Sequence, residues 1–69
     1  MNRYRLYVGP TLVQDVAQRL RNVPGYHEVF EGTENVYFCS GLNQQGAYAQ
    51  LKLDGVTGFR STDLQLTRR

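Results

Sequence analysis

Asn43-Gln44-Gln45-Gly46-Ala47-Tyr48-Ala49-Gln50-Leu51-Lys52-Leu53-Asp54-Gly55 is the stretch whose conformation decides the fold. As a strand it alternates, with Ala47, Ala49, Leu51 and Leu53 against Tyr48, Gln50, Lys52 and Asp54. As a helix it has a cap in Asn43, good helix formers from Ala47 to Leu53, and a glycine stop. The helix gives the order strand, helix, strand, strand, helix, strand. The strand leaves one helix on a five-stranded antiparallel meander.

An internal near-repeat favours the helix. Ala17-Gln18-Arg19-Leu20 through Val23-Pro24-Gly25-Tyr26 reads against Ala49-Gln50-Leu51-Lys52-Leu53 through Val56-Thr57-Gly58-Phe59, with Leu51 as one inserted residue. Upstream of the two copies stand Arg5-Leu6-Tyr7-Val8-Gly9 and Tyr37-Phe38-Cys39-Ser40-Gly41, β-type runs that end in glycine. A period of 32 to 33 residues accommodates one strand, one helix and one returning strand. The expectation is a single domain over residues 1–69, built from half-repeats at about 3–31 and 35–67.

The remaining elements follow from pattern. Tyr4 to Val8 is a strand with Tyr4, Leu6 and Val8 on one face and Arg5 and Tyr7 on the other. Thr11, with Gln14 three residues on, is placed to cap a helix whose apolar stripe is Leu12, Val16, Leu20 and Val23, with Val13 and Ala17. Tyr26 to Glu31 and Asn35 to Ser40 form a hairpin about Gly32-Thr33, and Phe59 to Thr67 is the last strand. Right-handed crossovers then predict a ferredoxin-like βαββαβ sandwich, an α+β fold. Its first and third strands are central, its helices cover one face, and its other face is open.

Sixty-nine residues hold a small core, and a chain this short buries only about 60% of the surface its unfolded form exposes. One cysteine and one histidine supply no disulfide framework and no zinc-type ligand set, so neither metal nor cofactor is expected. The eight Tyr and Phe rings supply large apolar area instead. No apolar run approaches the roughly 20 residues that span a bilayer. The expected compartment is the cytoplasm for a complete gene product and the envelope for an excised domain.

Catalysis has little support: no Ser, Cys or Asp is tied to His27 by a recognisable motif, and Cys39 lacks a basic cluster or helix start beside it. The open face is the better candidate. Alternation puts Arg5 and Tyr7 outward on the first strand and Tyr37 and Cys39 outward on the third, a pair of tyrosines flanked by a guanidinium. The charges divide as well. With the fourth strand beside the first, Arg3, Arg5, Arg60, Arg68 and Arg69 fall to one side and Glu28, Glu31 and Glu34 to the other, a dipole able to bring two copies together as a homodimer, basic edge to acidic edge.

Tyr4-Arg5-Leu6-Tyr7-Val8-Gly9-Pro10 resembles the opening of a sporulation-related repeat (SPOR) domain, and Leu51-Lys52-Leu53 followed by Gly58-Phe59 is similar to that family's second helix and its exit. Val36 to Gly41 departs from the pattern, lacking a second Val-Gly-Pro-Phe. The resemblance implies binding of peptidoglycan glycan strands stripped of peptides, on the open sheet face. Leu6-Tyr7-Val8-Gly9 also resembles the first-strand signature of the RNA-recognition motif, which implies single-stranded nucleic acid stacking on the same face. A third reading is a small inhibitor or adaptor docking on a larger protein, of the kind a mobile element encodes.

Overall fold

Residues 43–55 carry the second helix. In the computed structural model, which describes residues 1–67, the elements run β1 (Asn2–Tyr7), α1 (Val13–Arg21), β2 (His27–Glu31), β3 (Asn35–Ser40), α2 (Gln44–Leu53), a 3-10 turn (Ser61–Asp63) and β4 (Leu64–Thr67). Asn43 caps α2 by accepting the Gly46 N–H at 2.8 Å, so the glycine sits in the first turn and feeds the cap. The alternation at Ala47–Asp54 gives way to helical burial, with Ala47 and Leu51 inward one turn apart. This excludes the five-stranded meander.

The four strands make one antiparallel sheet in the order β2-β3-β1-β4, the arrangement of a ferredoxin-like α+β sandwich. Tyr4 and Leu6 of β1, Val36 and Phe38 of β3 and Leu64 of β4 point to the helices and are buried, together with Val13, Ala17 and Leu20 of α1. Phe38 is the hub: Tyr4 stacks on it with centroids 5.5 Å apart, and Tyr26 meets it edge-on at 5.3 Å.

Two local expectations are corrected. Thr11 does not cap α1; the N-cap is Leu12, without a side-chain hydrogen bond, because a turn closed by Leu12 N–H to the Gly9 carbonyl (3.3 Å) takes up Thr11. The last strand begins at Leu64 rather than Phe59, since Asp63 accepts the Arg60 N–H at 2.9 Å and winds the intervening residues into the 3-10 turn.

The two helix exits, Val23-Pro24-Gly25-Tyr26 and Val56-Thr57-Gly58-Phe59, share a geometry. Gly25 and Gly58 stand at φ 107° and 81°, where a Cβ is strained, and the ring after each is buried. The alignment within the helices is corrected. Leu20 is buried whereas its matched residue Leu53 is 80% exposed, so the position equivalent to Leu20 is Leu51 and the extra residues follow the helix. Tyr26 donates its hydroxyl to Asp54 Oδ2 at 2.6 Å, and Gln50 Nε2 reaches both Asp54 oxygens at 3.1 Å, tying the first exit to the end of α2.

Candidate sheet-face site

The face away from the helices is organised in cross-strand rows. One row runs Phe30–Tyr37–Arg5–Gln65 across β2, β3, β1 and β4; the next runs His27–Cys39–Arg3–Thr67. Tyr7 pairs with Asn35 at the end near the β2–β3 hairpin. Tyr7 and Tyr37 therefore share one face on adjacent strands, as alternation suggested, and stand as diagonal neighbours. Arg5, exposed, stands directly opposite Tyr37.

Phe30 is the ring that sequence reasoning missed. It is 57% exposed, against 46% for Tyr7, and lies directly opposite Tyr37. A bulge between His27 and Phe30 puts both on the open face and turns Val29 toward the core. The left-handed residue of the bulge is Glu28, at φ 50°. Tyr37 is half-buried because its ring lies against the hairpin backbone: a Cβ at Gly32 would come within 2.9 Å of Tyr37 Cε1. Glycine at position 32 permits that approach.

Cys39 is not an accessible member of the face. Only 7% of it is exposed, and Glu28 Oε1 lies 3.8 Å from its Sγ while also accepting from Arg3 Nη2 at 3.0 Å. The Arg3–Glu28 bridge, both partners substantially solvated, passes over the thiol from β1 to β2. It also changes the expected charge pattern. The strand order sets β4 beside β1 and β2 at the opposite edge, as that pattern requires. Arg3 nevertheless reaches Glu28 across β3, and Arg21 pairs with Glu31 at 3.0 Å, so two of the acidic residues of the β2 side carry basic partners. Arg60 pairs with Asp63 at 3.9 Å at the start of the 3-10 turn, and Arg68 and Arg69 lie outside the described residues. Arg5 is left as the cation of the face without an acidic partner among the described residues.

The cover over Cys39 gives a direct expectation. Arg3→Ala should raise the rate of Cys39 alkylation several-fold with little change in stability, since exposed ion pairs contribute only ~0–1 kcal/mol. A rate unchanged from the parent would mean that the strands alone bury the sulfur.

Among the described residues, no group of three or more His, Cys, Asp or Glu is placed to hold a metal, and no helix is long and apolar enough to cross a membrane. An open groove lies elsewhere, between α1 and residues 55–57, with Val16, Arg19 and Val56 in its lining. No family model, curated protein or solved structure matches the chain.

Proposed function

We propose that this chain is a non-enzymatic binding module that holds a glycan on its open sheet face, in the manner its SPOR-like opening implies. The observation that carries the reading is the row Phe30–Tyr37–Arg5 with Tyr7 diagonal to Tyr37: three rings, two of them exposed, around one guanidinium that has no acidic partner among the described residues. Aromatic faces carry negative potential and attract the polarised C–H face of a pyranose. A peptide-stripped peptidoglycan strand presents such faces in series together with free carboxylates, and Arg5 is positioned to take one carboxylate in a forked pair. Exposed apolar side chains grouped on a rigid strand surface are a common mark of an interaction site.

Single-stranded nucleic acid would use the same rings, but it asks for several phosphate-binding cations, and Arg3 is engaged by Glu28. The two ligands separate by salt. Phosphate contacts lower log K by about 0.7 per contact for each tenfold rise in salt, whereas sugar stacking with one carboxylate contact gives a shallow slope.

Co-sedimentation with peptide-stripped sacculi is expected for the parent chain. It should be lost in Tyr7→Ala/Phe30→Ala, with the far-ultraviolet spectrum unchanged because both rings are exposed. Retention of binding by that double variant, or binding only to a homopolymer RNA with a steep salt slope, would overturn the proposal.

A further inference from the structure

The two edges of the sheet are finished differently. The β2 edge is guarded. It carries the His27–Phe30 bulge, and Arg21 reaches over it, donating to the Val29 carbonyl at 3.3 Å and to Glu31 Oε2 at 3.0 Å. Bulges and charges at an edge block further strand pairing. β4, Leu64-Gln65-Leu66-Thr67, has no charge and no proline, and its register with β1 is unbroken.

Hydrogen-bond phase shows which groups of β4 face outward. Leu64 N–H donates to the Ser61 carbonyl, and its own carbonyl accepts from Gln44 Nε2 at 2.6 Å. Leu64 therefore does not donate to β1. On β1, Val8 N–H goes to the Glu34 carbonyl at the end of β3, so the even-numbered residues of β1 turn toward β3 and the odd-numbered ones toward β4. Alternation along an antiparallel pair gives Gln65 and Thr67 to β1 and leaves the N–H and C=O of Leu66 directed away from the sheet. The Leu66 side chain is also 52% exposed, beside Tyr4 on the helix side. Leu42, whose carbonyl accepts from the Tyr4 hydroxyl at 2.6 Å, is exposed nearby.

We propose that β4 pairs antiparallel over residues 65–67 with β4 of a second copy, about a dyad through Leu66 perpendicular to the sheet, so that two four-stranded sheets meet edge to edge. The second copy is the occupant because Leu66 is its own complement. A residue whose N–H and C=O both point outward exchanges both bonds with its symmetry mate. Gln65 then faces Thr67 of the partner, so the described residues of the two strands set no like charges opposite each other. Leu66 packs against its mate on the helix side. The dyad also sets the two open faces side by side, whatever ligand they hold; this inference does not rest on the glycan reading.

The test is sedimentation equilibrium up to millimolar concentration, with three variants. The parent is expected to approach twice the monomer mass, and Leu66→Lys, with like charges on the dyad, to weaken association at least tenfold at an unchanged far-ultraviolet spectrum. In a Cys39→Ala background, Leu66→Cys should form a disulfide-linked dimer under mild oxidation, because hydrogen-bonded antiparallel partners stand about 5.5 Å apart at Cα, within disulfide reach. Gln65→Cys, not opposite itself, should not. Added salt should leave the dimer intact, since each copy carries a net charge of +2, whereas a basic-edge-to-acidic-edge dimer would loosen. A monomer at millimolar concentration, a dimer indifferent to Leu66→Lys, failure of Leu66→Cys to cross-link, or loosening by salt each overturns the proposal.

Discussion

Phe38→Ala is expected to be the most destabilising truncation in the sheet, moving the urea midpoint far below that of the parent. Phe38 is fully buried between Tyr4 and Tyr26, and truncating such a ring removes its transfer free energy and leaves a cavity, costing about 3–5 kcal/mol. At roughly 0.05–0.15 kcal/mol per residue, a 69-residue chain holds about 3–10 kcal/mol in total. The loss therefore takes about three tenths of the stability at the least and all of it at the lower end. Phe30→Ala removes the same side chain from the open face and should change stability by no more than about 0.5 kcal/mol. Urea titrations of the two variants make the comparison. A cooperative Phe38→Ala transition at the parent midpoint would show that the ring is not the hub of the core.

Raising the pH above 10 should unfold the protein through its buried phenols. Burial, then the hydrogen bond to Asp54, then the charge of that carboxylate hold the Tyr26 phenol far above its usual value of 10.0. Burial also pushes Tyr4 upward, against a smaller lowering by the Asn2 side chain. A raised folded value means that the folded state keeps the proton the unfolded state gives up. The stabilisation is complete below pH 10 and is lost progressively above it, as the unfolded chain ionises first. Phenolate absorbance followed beside circular dichroism should show the Tyr26 signal appearing only with loss of structure. In Tyr26→Phe the alkaline transition should move upward, while stability at neutral pH falls by about 1 kcal/mol for the lost hydrogen bond. Ionisation of all five tyrosines near pH 10 with the fold intact would defeat this account.

How far the sequence was readable depended on whether the deciding interaction was local. Asn35–Ser40 and the Asn43 cap were legible because strand alternation and capping act over a few residues. The Gly25 and Gly58 exits were legible because their backbone conformation favours glycine. The bulge in β2 was not, since its left-handed position is filled by Glu28, which gives no turn signal. Without the bulge, alternation from the buried Tyr26 sends Phe30 inward, so the most exposed ring of the face escaped notice. Cys39 was placed on the correct strand face and read as a small half-buried side chain, short of the near-complete burial it has. Its cover is an ion pair between residues 25 apart in the chain, which no local pattern announces.

The central position of β1 bears on how the protein is made. β1, the first of the four strands along the chain, is paired on one side by β3 and on the other by β4, and the Thr67 hydroxyl reaches the Arg3 carbonyl across 64 positions of sequence. A growing chain cannot pair both sides of β1 until β4 has left the ribosome, so the sheet cannot be completed before all four strands are out. Closing so wide a loop adds entropy cost before any contact rewards it, which favours folding on the slower, millisecond side for a chain of this size. Any truncation that removes β4 would also bare the edge of β1 and uncover Leu6 and Tyr4, turning the middle of the sheet into an aggregation-prone rim.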